Sequence, residues 1–166
     1  VELWRTATLA EPGTPEYATW GNVAPDRRGG GDIWIAGSYD PELDLVYFGT
    51  SQPKPWAAPS RGMSVEDAAL YTNATLAVRP KTGELVWHFQ HIPGETIDME
   101  VGFERILADI DGEQTLLTVG KDSILWKLNR ATGEYLDLLD TMGQNIFSVD
   151  RETGRLTYRE DIAKAN

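Results

Sequence analysis

Three stretches of this chain share one local pattern: LAVRPKTGELVW (76–87), WKLNRATGEYLD (126–137) and FSVDRETGRLTY (147–158). Each reads as a strand, a polar turn ending in Thr-Gly, and a second strand. Gly83, Gly133 and Gly154 fall where a tight turn needs positive φ, a conformation in which a Cβ is costly. The first two repeats lie 50 residues apart, close to the length of one four-stranded propeller blade, and two hairpins fit between them. Similar hairpins also occur in ordinary sandwiches, but the shared Thr-Gly with an aromatic or apolar anchor behind it favours a propeller.

The other apolar runs are short and separated by turn residues. DIWIAGS (32–38) precedes the turn YDPELD and LVYFGTS (45–51), TLAVR (75–79) meets ELVWHFQ (84–90), and QTLLTVG (114–120) meets ILWKLN (124–129). β-branched and aromatic residues fill the runs, whereas Gly, Pro, Asp and Asn fill the gaps, which predicts an all-β chain of antiparallel sheets. The expected organisation is an irregular lead-in (1–31), a blade (32–91) with a long insertion (52–73), a second blade (101–139) and a partial third (146–166). One helix is predicted, SVEDAALY (64–71), with Ser64 as N-cap and Glu66 and Asp67 in its first turn.

The formal net charge of -11 argues against nucleic-acid or anionic-membrane partners, which reward basic surfaces. No apolar run approaches the ~18 residues of a membrane span. With no cysteine, thiolate nucleophiles and thiolate metal sites are excluded together. His88 and His91 are three apart, which on a strand puts them on opposite faces and makes a poor chelate. No Walker or Rossmann glycine loop and no nucleophile elbow is present. The acidic segment GETIDMEVGF (94–103), with Glu95, Asp98 and Glu100, is the densest chemical feature; on composition alone it is a solvated turn. Asp109 and Asp111 sit in the hairpin turn ADIDGEQ and carry no expected role.

The ordered segments GGGDIWIAGSYDPELDLVYFGTSQPKPW, ALYTNATLAVRPKTGELVWHFQHIPGE and GKDSILWKLNRATGEYL resemble the pyrroloquinoline quinone (PQQ)-dependent alcohol dehydrogenases. The resemblance, which includes the lead-in EPGTPEYATW, covers nearly the whole chain. It implies an eight-bladed quinoprotein propeller with the quinone and a metal ion at its centre, of which about three blades are present. The chain is thus expected to be an internal piece of a longer or split enzyme, inactive alone. It is further expected to associate with itself or with a partner chain that supplies the missing blades. The same resemblance implies an alcohol substrate, a cytochrome electron acceptor and a periplasmic setting. The alternative is a propeller that has lost its cofactor and serves as a binding or assembly scaffold.

The resemblance assigns five residues. Trp34 matches the tryptophan on which the quinone stacks, a flat aromatic floor for a planar cofactor. Gln52 stands where better-known members carry a metal-ligating asparagine; its amide oxygen is a hard donor suited to calcium, on a side chain one methylene longer. Asp98 matches the carboxylate that takes the alcohol's proton while hydride passes to the quinone, and it adjoins the metal. Glu100 occupies the position two residues on, where lanthanide-using members place an extra carboxylate, so the ion is calcium or a lanthanide. Lys121 matches the cation that contacts the quinone's reactive oxygens and stabilises charge developing there. Glu95 is expected to shape the loop.

Overall fold

The computed structural model describes residues 1–165; Asn166, the last position of the expected third unit, lies outside the described residues. Among the described residues twelve strands form: β1 (Gly29–Gly30), β2 (Ser38–Asp40), β3 (Leu45–Gly49), β4 (Pro53–Lys54), β5 (Ala74–Val78), β6 (Leu85–Gln90), β7 (Ile106–Ile110), β8 (Glu113–Val119), β9 (Ile124–Asn129), β10 (Tyr135–Asp140), β11 (Phe147–Val149) and β12 (Leu156–Tyr158). A single turn of helix, α1 (Glu160–Ala163), follows. Two four-stranded antiparallel sheets dominate, ordered β2-β3-β5-β6 and β10-β9-β8-β7. A β11-β12 hairpin and a short β1-β4 pair complete the set.

The Thr-Gly repeat has one physical explanation. In each copy the glycine amide donates to the carbonyl of the residue four before it: Gly83 to Arg79, Gly133 to Asn129, Gly154 to Asp150. The threonine hydroxyl then accepts the amide just beyond the glycine, from Glu84, Glu134 and Arg155 respectively. All three glycines have φ between 71° and 76°. The turns therefore hold themselves shut with bonds made inside six residues.

They also dock the sheets on one another. A Cβ on Gly83 would meet the indole of Trp4, one on Gly133 the indole of Trp87, and one on Gly154 the ring of Tyr135. Each turn thus lies against an aromatic ring carried by the preceding unit. Between the two large sheets, Leu45, Tyr47, Ala77 and Trp87 pack against Leu116 and Leu128. The Tyr47 hydroxyl donates to the Arg130 carbonyl, and the buried Arg130 guanidinium meets Asp40 at 2.6 Å. Asp109 pairs with the same guanidinium. On the same face of the second sheet, Ile124, Trp126 and Leu138 pack against Phe147 and Leu156 of the hairpin.

Three expectations are corrected. The predicted strand at 32–38 begins only at Ser38, because the Asp32 backbone is bonded to Ser51 and leaves Ile33 and Trp34 exposed. Asp109, expected in the hairpin turn ADIDGEQ, lies within strand β7, which turns into β8 only at Asp111 and Gly112, both at positive φ. The helix predicted at 64–71 does not form. Ala69 stands at φ 54° with its amide bonded to the Thr19 carbonyl, and the Leu70 carbonyl accepts from Ala10 and the Trp20 indole. Ser64 closes a local turn with Asp67 instead of capping a helix. The lead-in is accordingly more than a connector: Ala10, Trp20 and Val23 share a core with Ala58, Met63 and Ala69 of the insertion.

Candidate functional site

One end of the two sheets collects the connections that follow β3 and β6, precede β2 and β7, and join β8 to β9. All five residues assigned from the resemblance lie in these connections. The Thr-Gly turns occupy the opposite end.

Gln52 is placed by the glycine-rich segment before β2. A Cβ on Gly30 would sit 2.1 Å from the Gln52 carbonyl oxygen, and the Gly31 amide donates to that oxygen. The close approach that the glycines permit is therefore to the backbone of Gln52 and Pro53. Asp98 takes φ 68°, a conformation uncommon outside glycine. The loop around it is organised by Glu95, whose buried carboxylate oxygen Oε1 accepts the amides of Ile97 at 2.7 Å and Met99 at 2.9 Å. Arg61 clamps the Glu95 carbonyl from below. Glu100 is joined to the β8-β9 turn through its backbone carbonyl, which accepts the Lys121 amide, and Gly120 has no room for a Cβ against that carbonyl.

The side chains converge. The Gln52 amide donates to Asp98 Oδ1 at 3.0 Å, and the Lys121 ammonium donates to Asp98 Oδ2 at 3.0 Å. The same ammonium is ion-paired with Glu100 Oε2 and lies 6.0 Å from the centroid of the Trp34 ring. Trp34 is half exposed, as are the Asp98 and Lys121 side chains, whereas Glu100 is fully buried. Burial raises the Glu100 carboxyl above the ordinary glutamate range, against the opposing pull of Lys121. Burial works to lower the Lys121 ammonium, but its hydrogen bonds to Glu100 and Asp98 prevail and hold it above an ordinary lysine.

Three buried oxygens at this cluster have no hydrogen-bond partner among the described residues: Oε1 of Gln52 and both carboxylate oxygens of Glu100, of which Oε2 is ion-paired with Lys121. Buried polar atoms are rarely left unpaired without a reason. With Asp98 they make an all-oxygen donor set of two carboxylates and an amide, which fits a hard cation. Among the described residues no three of His, Asp and Glu converge, so the set needs Gln52 and oxygens from outside these residues to fill a coordination shell. The histidines take no part. His91 is buried against Phe89 and Trp126 and bonds Thr75, while His88 packs on Tyr71.

A family model for the PQQ glucose/ethanol/alcohol dehydrogenase β-propeller domain matches residues 2–140. The chain belongs to this family. It is similar to quinohemoprotein alcohol dehydrogenase ADH-IIG of Pseudomonas putida, 33% identical over 98% of the chain and 24% of that protein. The solved structure of ADHIIG from Pseudomonas putida HK5 superposes with a TM-score of 0.85 at 32% identity, over 96% of the chain and 25% of its own length. A europium-containing methanol dehydrogenase is similar with a TM-score of 0.71 at 30% identity, over 79% and 23% respectively. The chain thus spans about a quarter of the relatives it matches.

Within this PQQ family segment, sequence reasoning missed the residues that support the site. Asn73, at φ 52°, ties three segments together: its side chain accepts the Val101 amide, its carbonyl the His91 amide, and its own amide bonds Ser51. Arg105, almost fully buried, is bonded to Thr75, Val101 and Ala74 and has no carboxylate partner among the described residues. Asp122 holds the Lys121 turn by accepting from Gly120, Ile124 and the Trp126 indole. Asn73 and Arg105 draw on segments distant in sequence and so have no local signature, although Arg105 also bonds the nearby Val101, whereas the bonds of Asp122 are local.

Proposed function

We propose that this chain is the part of a PQQ-dependent alcohol dehydrogenase that carries the proton-accepting carboxylate and part of the cofactor and metal site. The meeting of Gln52, Asp98, Glu100, Lys121 and Trp34 at one end of the sheets supports this reading above all else. When bound, PQQ supplies the hydride acceptor and a metal ion, calcium or a lanthanide, supplies a Lewis acid. Asp98, half exposed and held at φ 68°, accepts the hydroxyl proton of an alcohol at a carboxylate oxygen. The Gln52 amide and the Lys121 ammonium orient that carboxylate from two sides. Lys121 places fixed positive charge beside the ring of Trp34, where it would stabilise negative charge on a planar cofactor that the indole would hold. Gln52, Asp98 and Glu100 would hold the metal, and the additional acidic oxygen of Glu100 would favour a trivalent ion.

The two large sheets and the hairpin read as two blades and part of a third, with boundaries near 32–91, 101–139 and 146–166. Ile106, Val119 and Leu139 are exposed on the outward face of the second large sheet. They suit burial under a further sheet, from a longer protein, a partner chain or another copy. The complete enzyme works in the periplasm and passes electrons to a cytochrome, whereas this chain alone is inactive.

The test is Asp98→Asn in the enzyme loaded with PQQ and metal. Alcohol-dependent dye reduction is expected to fall by about 10²–10⁴-fold, the usual contribution of a positioned base, with PQQ still bound. Undiminished turnover would overturn the assignment and favour a scaffold role.

A further inference from the structure

Lys121 does more at this cluster than one cofactor contact requires. Its ammonium reaches both Asp98 Oδ2 and the fully buried Glu100, and so lies between the two carboxylates of the metal donor set. Oε1 of Gln52 and Oε1 of Glu100 have no hydrogen-bond partner among the described residues, and Oε2 of Glu100 has its ion pair with Lys121 alone. Two negative carboxylates, one wholly buried, are costly to hold together without a cation. Within the described residues Lys121 is the cation that reaches them; Arg61 and Arg105 spend their guanidinium groups on backbone carbonyls and Thr75.

We infer that Lys121 is a tethered cation which occupies the carboxylate pair until a metal ion arrives, and that metal entry displaces it toward Trp34. The inference rests on the metal-site reading given above. Its physical content is competition: the ammonium and the metal ion compete for Asp98 and Glu100. The ammonium holds the site in shape at the expense of metal affinity. Once displaced, it points at the space over the Trp34 ring, so metal loading prepares the cation that a stacked quinone meets. The lysine stem is flexible enough for this exchange, and the side chain is already partly exposed. Loading then runs in an order, metal before quinone.

Terbium(III) binding to the purified protein tests this, read by luminescence sensitised through Trp34 and by the shift in melting temperature. Lys121→Gln is compared with Lys121→Arg, which keeps the charge, and with Lys127→Gln, which removes one charge elsewhere on the second sheet. Terbium affinity is expected to rise about tenfold in Lys121→Gln, the scale for losing one partly solvated competing charge at contact distance. It should stay within about twofold of the parent in the other two variants. Without metal, Lys121→Gln should melt lower than the parent, and terbium should recover more of its stability than it adds to the parent. Equal affinity in the parent and Lys121→Gln overturns the inference and leaves the metal site standing. An equal rise in Lys127→Gln overturns it in favour of net charge. No terbium binding in any variant, with all of them folded by circular dichroism, overturns the metal-site reading itself.

Discussion

Gly133 lies against the indole of Trp87 so closely that a Cβ on it would come within 2.5 Å of the ring. The contact joins two sheets whose members are far apart in the chain, and it explains why the turn needs glycine twice over. One need is conformational, φ 76°, and the other is steric. Gly62 separates the two. Its φ is 73°, yet nothing lies within 4 Å of its missing Cβ. Gly62→Ala should therefore cost about 1 kcal/mol from backbone strain alone. Gly133→Ala should cost roughly 3 kcal/mol, because overpacking against Trp87 adds to the strain. Urea unfolding midpoints of the two variants measure the difference, and equal losses would show that the ring contact is soft.

The loop that presents Asp98 depends on one carboxylate. Glu95 Oε1 satisfies the amides of Ile97 and Met99 on either side of Asp98, and burial raises the Glu95 carboxyl. Glu95→Ala leaves both amides without a partner, at about 1–3 kcal/mol. Glu95→Gln keeps an oxygen in place. Hydrogen exchange at Ile97 and Met99 should speed up in the alanine variant and not in the glutamine variant. Exchange at Val101, whose amide is bonded to the Asn73 side chain, should be unchanged in both. Parallel loss of protection at Val101 would mean that the whole connection is loosened instead.

Acidity gives a separate handle on the turn that carries Lys121. Burial pushes the Asp122 carboxyl up to about 6, although hydrogen bonds from Trp126, Ile124 and Gly120 oppose it. In the unfolded chain the group titrates near 3.8. Below that value both states hold the proton, and above about 6 neither does. Between the two the unfolded state gives up its proton first, so the contribution of Asp122 to stability falls as pH rises from about 4 to about 6. The integrated change is about 3 kcal/mol. Subtracting the stability of Asp122→Asn from that of the parent at pH 4 and pH 7 isolates it, with the larger difference expected at pH 4. A difference that does not change with pH would place the group near its unfolded value.

What could be read from the chain alone is what the chain settles locally. The bonds of the Thr-Gly turn close within six residues, and the glycine φ follows from them, so three hairpins and their antiparallel strands were legible as a repeat. The resemblance supplied the names of Trp34, Gln52, Asp98, Glu100 and Lys121. It could not supply the fact that one ammonium touches two of them and lies 6.0 Å from the ring of a third. That arrangement exists because Trp87 against Gly133 and Arg130 against Asp40 fix one sheet on the other, and with it the Lys121 turn on the Asp98 loop. The helix expected at 64–71 shows the reverse case. Its residue types and first-turn charges suit a helix, but the lead-in offers the backbone of Ala69 and Leu70 better-placed partners in Ala10, Thr19 and Trp20. Local chemistry decides an element only where its own hydrogen bonds are the best available; elsewhere the bonds offered by distant residues decide, and those exist only once the chain has packed.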